Sequence, residues 1–491
     1  MKANAGMNEI SIMPGGHENS FVYAAFDRFP SPKGAASHID AFVTALGKRF
    51  ENVDLLTIPS EAAELGGTGA VNTGLLSTAV NKARVDWTPE PEWRAAGVRH
   101  QALSAFGESV FERALSFRKQ IQHWWSHRFT DRPASIFHFR SIFEGYWIAQ
   151  DKYRFCRNLV FEVNGLPSIE LKYRYPGVAE DRELIRKLRH QEQVCLEAAD
   201  AIITVSQVNA DHLIDRGVSP GRIRIIRNGV DPEQFSCRAA PPKLEPQLPL
   251  KTWPDGHSDF SDIANNTSEE ITDRVENPKA GQPRRIRLLY AGTMSKWQGV
   301  PHAIEALALI RRDVDAELTL VGPARPVELR EINELTWKLG VTDFVQILQP
   351  VTKSELVKLH HHADIVLAPV TRNDRNLVQG CCPLKIIEAM ASGTPLIASD
   401  LPVVRELVQD GVNALLVRPG SGKAIKDAVM RLATKQVSSA NLTAAARRRV
   451  EKEFTWQQAT DTLCEIYAEL LSGRFSSAAS SVPNRSSSAL C

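Results

Sequence analysis

No stretch of this 491-residue chain is apolar for the roughly 20 residues a membrane-crossing helix needs, which excludes a helical membrane span. The first residues, MKANAGMNEISIMPGGHENS, lack a hydrophobic signal core and read as a flexible lead-in over 1–19. Net charge is almost absent. The 59 Lys and Arg against 57 Asp and Glu leave +2, so no global field calls for a nucleic acid. The seven cysteines are an odd number and contain no CxxC pair. That argues for reduced thiols in a cytosolic compartment and against a disulfide frame or zinc site. The vicinal Cys381–Cys382 pair reads as small loop residues. Three adjacent histidines, His360 to His362, cannot face one ligand point on a helix. Neither half has a GxGxxG after its first strand with an acidic residue after the second, so a dinucleotide oxidoreductase is excluded.

What remains is a pattern of alternating strands and helices. Phe21–Phe26 is an apolar run of strand length. A Pro/Gly loop follows to Ala36, then a helical pattern over Ser37–Lys48, then the strand VDLLTI at 53–58. Strand, glycine loop, helix, strand is a βαβ unit on a parallel sheet. Residues 59–130 read as polar and mostly helical. SIFHFR (135–140), NLVFEVNG (158–165), the strand ending at Ser206, and RIRIIRNGVD (222–231) continue the block. Residues 238–283 break it, being rich in Pro, Asp, Asn and Ser without periodicity, and read as a disordered linker insertion. A second strand–helix series starts at RIRLLYAGT and runs to about 450. An amphipathic helix occupies 451–473, and a Ser/Ala-rich tail expected to be disordered follows over 474–491. The length itself requires more than one core.

GCCPLKIIEAMASGTPLIASDLP (380–402) carries the clearest chemical question. Pro383 suits the first position of a helix, which puts Lys385 in the first turn, where the helix dipole disfavours a cation. Lys385, Glu388 and Ser392 share one face of an otherwise apolar helix. Two readings stand: a local Lys–Glu surface pair, or an anion held between a lysine and the helix N-terminus. Glycine-bearing loops end other strands of this half, at YAGTMSKWQG and LVGP, and ADIVLAP ends a further one. In an open α/β sheet, ligands gather at those carboxyl ends.

YAGTMSKWQGV, LTLVG, ADIVLAPV, PLKIIEAMASGTPLIASDLPVVREL and GVNALLV in the second half, with PSPKGAASH, LEAADAIITVS and IIRNGVDPEQF in the first, resemble the retaining glycosyltransferases of family 4. The resemblance covers most of residues 20–472 apart from the insertion. It implies the GT-B fold: two Rossmann-like parallel-sheet domains facing a cleft. The first, 20–230, would take the acceptor. The second, 284–450, would take a nucleotide-sugar, with the terminal helix bracing the first domain. It implies a metal-independent hexosyltransferase with no cofactor, the nucleotide-sugar being a substrate. The acceptor would be a glycan or lipid-linked hydroxyl. The setting would be cytoplasmic, with room for a peripheral contact at the inner membrane face, and no nucleic acid would be involved.

On that resemblance Lys385 becomes a diphosphate ligand and Glu388 a ribose-hydroxyl acceptor; these two are the candidate catalytic residues. Gly34, Ala35, Gly292, Thr293, Lys296, Gln298, Gly322, Pro383 and Leu384 complete the donor side. His138, Arg140, Glu162 and Asn164, at strand ends, are acceptor-side candidates. Ser206 reads as a helix cap, and Asn228 and Asp231 as turn formers. The chain departs from the family pattern at four places. Gly380 replaces the first glutamate of the usual acidic pair, Thr293 and Gln298 stand for its Arg and Lys, and Asn164 stands for its histidine. These departures keep open a catalytically inactive GT-B subunit that serves as a scaffold in polysaccharide assembly.

Overall fold

The computed structural model describes residues 19–31, 33–60, 92–129, 132–238 and 285–475. The expected lead-in, insertion and tail, and the helical reading of 61–91, lie outside the described residues but for a few border positions.

The first sheet is built from β1 (Phe21–Arg28), β2 (Val53–Ile58), β3 (Arg99–Ala102), β4 (Ala134–Phe139), β5 (Cys156–Val163), β6 (Ala201–Thr204) and β7 (Ile223–Ile225). Its helices are α1 (Gly34–Arg49), α2 (Val110–Arg128), α3 (Ile142–Ala149), α4 (Pro167–Arg174), α5 (Arg182–Ala198) and α6 (Gln207–Asp215). The strands lie in the order β3-β2-β1-β4-β5-β6-β7, every pair parallel. β2 and β4 are buried along their whole length, the expected state of central strands covered on both faces by crossover helices. β1 is the switch strand: Phe21 pairs with Val53 on one side and Ile136 on the other.

β3 is a strand inside 59–130, a stretch read from the sequence as polar and mostly helical. Its four residues, RHQA, are too polar and too few to show a period. An ion pair from Arg99 Nε to Asp54 at 2.8 Å and a contact of His100 Nε2 with Thr57 Oγ1 at 2.7 Å hold this edge strand instead. α1 also begins earlier than expected, at Gly34, because nothing in the chain after Lys33 stops it.

The second sheet takes β8 (Ile286–Ala291), β9 (Ala316–Val321), β10 (Val345–Leu348), β11 (Ile365–Ala368), β12 (Leu396–Ser399) and β13 (Leu415–Val417), in the order β10-β9-β8-β11-β12-β13, again all parallel. Around it lie α7 (Val300–Ile310), α8 (Pro326–Lys338), α9 (Lys353–His362), α10 (Leu384–Ser392), α11 (Gly422–Ala433) and α12 (Ser439–Glu453). Both sheets are thus doubly wound, each with a switch point at the carboxyl ends of its first and fourth strands. The GT-B architecture read from the sequence is the one found.

Two strands of chain join the sheets side by side. Val230 N–H donates to Phe454 O at 3.0 Å and Trp456 N–H returns to Val230 O at 3.2 Å. The last helix among the described residues, α13 (Trp456–Leu471), then packs on the first sheet's side. Its Leu463, Ile466, Tyr467 and Leu470 are buried with Phe21, Phe42 and Leu46.

Candidate active site

α10 starts one residue later than the proline rule suggests. Pro383 is its N-cap, in extended geometry, and Leu384 is the first helical residue. No side chain caps the helix and no acid sits in its first turn, so its leading N–H groups are open donors. α1 repeats this in the first domain: Lys33 is an N-cap without a side-chain bond, and no acid follows. The two helix starts meet. A Cβ placed on Gly34 would lie 2.8 Å from Leu384 Cδ1, the mobile end of that side chain, which shows how near the two starts come. Two uncapped N-termini converging on one place concentrate positive potential there.

Lys385 completes the convergence. It is only 8 % exposed. Its Nζ donates to Tyr290 Oη at 2.9 Å and to Gln298 Oε1 at 2.8 Å, and lies 4.2 Å from the Tyr290 ring centre. Tyr290 in turn donates to Thr293 O at 2.6 Å. Burial pulls the Lys385 ammonium down from 10.5 to about 7, against the opposing pull of Glu388. Burial likewise pushes the Glu388 carboxyl up from 4.5 to about 7, with Lys353 and Lys385 opposing. Glu388 makes no hydrogen bond among the described residues. The pair is a desolvated cation and carboxylic acid, both titrating near neutrality and lacking a stronger partner.

The glycines at the strand ends work by proximity. Gly292, at φ +139°, would put a Cβ 2.9 Å from Lys385 Nζ, and its own N–H is taken by Val321 O at 2.8 Å. A Cβ on Gly322 would stand 2.4 Å from Gly292 O. Thr293 is exposed and contributes its carbonyl to Tyr290. Lys296 is not brought to Lys385. Its side chain is 70 % exposed and pairs with Glu331 of α8 at 2.7 Å, so a second cation at this site does not come from it in this arrangement.

The acceptor-side candidates form a buried hub. Glu162 accepts from Tyr23 Oη (2.7 Å), Arg140 Nε (3.0 Å) and Asn164 Nδ2. His38 Nε2 and His138 Nε2 lie 3.0 and 3.1 Å from its two oxygens, as close contacts off the hydrogen-bond line. Burial opposes the charge on Glu162, but His38 and Arg140 hold its carboxyl well below the ordinary range. Burial lowers His138, so the neutral ring presents Nε2–H to the carboxylate and accepts from Tyr467 Oη at 2.9 Å. His138 and Glu162 are fully enclosed, which corrects the expectation that they face the cleft: satisfying a buried carboxylate takes every group around it. Arg140 and Asn164 lie at the hub's rim. Arg140 Nη1 reaches Asp27 at 3.1 Å, whose carboxylate is partly open.

Several site-forming residues carried no sequence signal. Arg375 and Gln379 come from a short π-turn, Arg375–Gln379, ahead of α10. Arg375 Nε and Gln379 Nε2 both donate to Glu170 of α4, at 2.7 and 2.9 Å, and the Arg375 guanidinium lies 4.5 Å from the Trp297 ring centre. Glu406 accepts from the Gln207 and Val208 N–H groups at the start of α6, at 2.8 and 3.1 Å. Ser206 caps that helix through Asn209 N–H, as expected. Gly380, at φ +83°, abuts the same cap, and a Cβ there would stand 2.5 Å from Asn209 N and 2.6 Å from Ser206 Oγ. The family's first glutamate has no room in this arrangement.

Two family models match the chain: Glycosyltransferase Family 4 over residues 32–234 and Glycosyl transferases group 1 over 285–435. Among curated proteins it is 28 % identical over 284 residues to a D-inositol 3-phosphate glycosyltransferase of Xylanimonas cellulosilytica, covering 57 % of this chain and 59 % of that one. It is 26 % identical over 272 residues to an MMP alpha-(1->4)-mannosyltransferase of Mycolicibacterium hassiacum, covering 55 % and 54 %. The matched stretch thus spans little more than half the length of these relatives. Among solved structures, sucrose-phosphate synthase from Thermosynechococcus elongatus superposes with a TM-score of 0.66 at 18 % identity, over 93 % of this chain and all of that one. Anabaena HepE in complex with UDP-glucose gives 0.62 at 15 % identity, over 91 % and 99 %. At such identities these likenesses concern the fold.

Proposed function

Because the chain belongs to glycosyltransferase family 4, we propose that it moves a hexosyl group from a nucleotide-sugar to a hydroxyl of a glycan or lipid-linked acceptor, with retention at the anomeric carbon and without a metal ion. The observation that carries this reading is the meeting of two uncapped helix N-termini, α1 and α10, over a buried lysine.

In this reading the donor diphosphate lies between Gly34–Ala35 and Leu384–Lys385. The Lys385 ammonium, weakly basic while its surroundings are apolar, is held charged once an anion sits beside it. Glu388, without a bond of its own, accepts from the donor ribose. The acceptor hydroxyl attacks the anomeric carbon as the bond to the diphosphate oxygen breaks, and that departing oxygen takes the hydroxyl proton on the same face. No side chain has to act as acid or base. The protein contributes placement and preorganised positive potential. Arg140, Asn164 and the open edge of Asp27 border the acceptor side.

A second reading, a subunit that binds nucleotide without turnover, is favoured by two observations: Gly380 leaves no space for the usual glutamate, and Lys296 is committed to Glu331. Calorimetric titration with UDP, GDP, ADP and their sugar conjugates, without added metal, tests the donor site. One nucleotide binding in the wild type and strongly weakened in Lys385→Ala and Glu388→Ala supports it; no binding below millimolar removes it. Release of nucleoside diphosphate from the bound conjugate then separates transferase from scaffold.

A further inference from the structure

Asn228 was expected to shape a turn. Its neighbour Asp231 does so, accepting from Glu233 N–H at 2.8 Å. Asn228 does something else. Its Nδ2 donates to Cys382 O at 2.7 Å, directly before α10, and its Oδ1 lies 2.8 Å from His38 Nδ1 on α1. The carbonyl on one side fixes the amide's orientation, so the atom facing His38 is an acceptor and Nδ1 donates. The other nitrogen of His38 faces the Glu162 carboxylate. The His38 ring thus stands between the Asn228 amide and the Glu162 carboxylate.

The place of this chain of contacts matters. Asn228 sits in the segment that crosses between the sheets. Gly229 beside it is pinned, because a Cβ there would lie 2.4 Å from Trp456 N, and Val230 is bonded to both Phe454 and Trp456. From this fixed point one side chain reaches both helices whose N-termini converge. The other end is anchored in the enclosed Glu162 cluster of the first domain. We propose that His38 and Asn228 are positioning residues. They touch no substrate, and they set the separation of the α1 and α10 N-termini by coupling both to the Glu162 hub through the crossing segment. Their effect on donor binding rests on the reading given above; the coupling of the two helices does not.

The test uses the full-length protein with Asn228→Ala and Asn228→Asp, because Asn228 is only half-buried and these variants spare the hub. Hydrogen exchange without nucleotide comes first. In Asn228→Ala, amides of Ile386–Met390 and of Ile39–Val43 are expected to exchange about tenfold faster, the effect of one lost hydrogen bond on a local opening, with the outer strands unchanged. In Asn228→Asp the carboxylate still accepts from His38 but faces the Cys382 carbonyl with no donor. Exchange should then rise in the α10 segment and stay at the wild-type rate in α1. Wild-type rates in both segments of both variants overturn the proposal, and so does a uniform rise over the whole first domain. The second arm compares UDP with UMP by calorimetry. Asn228→Ala should lose about tenfold affinity for UDP and less than twofold for UMP, because only the diphosphate spans the two helix starts. Equal losses for both refute positioning. If the wild type binds neither, the donor-site reading fails on its own and the exchange experiment alone decides the coupling.

Discussion

Replacing Lys385 with methionine separates folding from binding. The ammonium in the folded chain gives up its proton near pH 7 rather than 10.5, a difference of about 5 kcal/mol against the charged form. Between those values the unfolded chain holds more protons, so this group's contribution to stability rises with pH through the window and is least favourable at and below about pH 7. Methionine removes that penalty. It also leaves Tyr290 Oη and Gln298 Oε1 without their donor, which costs about 1 to 3 kcal/mol each. The opposing terms nearly cancel. At pH 7 the variant is therefore expected to melt within about 5 °C of the wild type, a shift worth only 1 to 3 kcal/mol in a domain of this size.

Binding has no such compensation. Charge-assisted bonds to a diphosphate are worth about 1.5 to 3 kcal/mol, so UDP affinity should fall about ten- to a hundredfold. The pH profile adds a second signature. Above pH 7 the wild type must take up a proton as the anion binds, so its affinity should fall towards tenfold per pH unit, whereas the variant's profile should lack that slope. Calorimetry at pH 6.5, 7.5 and 8.5, in buffers of differing ionisation enthalpy, measures the affinity and the proton uptake together. A Lys385→Met protein that binds UDP as the wild type does, with the same pH slope, would refute the assignment of this lysine to the anion.

Three other substitutions are expected to destabilise, each by a different route. Gly380→Glu, which restores the family's residue, should lower the urea midpoint without raising nucleotide affinity, because φ +83° and the 2.5 Å approach to Asn209 N both oppose a side chain. Glu162→Gln should destabilise by about 3 to 5 kcal/mol near pH 7 by leaving Arg140 and its neighbours buried without their counter-charge. Since the wild-type carboxyl is held well below the ordinary range, its contribution is present above that range and lost on acidification. The gap between the two proteins should therefore close as pH falls below about 4. Glu406→Gln should cost about 1 kcal/mol by removing a carboxylate from the α6 N-terminus and from Arg227, 3.1 Å away, seen as faster amide exchange in Gln207–Ala210.

The doubly wound sheets were legible because Val53–Ile58, Ile365–Ala368 and their like are apolar runs of strand length set between glycine loops and helical periods, and such patterns are local. Lys385 was legible for the same reason: a cation in a first turn is a local anomaly. The Glu162 hub was not. Tyr23 lies on β1, His38 on α1, His138 on β4 with Arg140 just past its end, and Glu162 on β5, and the order β1-β4-β5 brings them together. A buried histidine and an exposed one look alike in a sequence. Lys296 misled because a loop position near the site says nothing of where a long side chain turns, and Glu331 on α8 settled that. The π-turn that carries Arg375 had no period to betray it.

The bond from Tyr467 to His138 has a consequence for how the molecule is made. A ribosome exports the first sheet long before α13. Until the last helix emerges, Phe21, Phe42 and Leu46 lack their cover and His138 lacks its phenol. The first domain therefore cannot mature as it leaves the tunnel, although domains generally fold in order of synthesis. Its completion waits on synthesis of the whole second sheet, so a nascent chain stalled inside the second domain exposes an apolar face of the first.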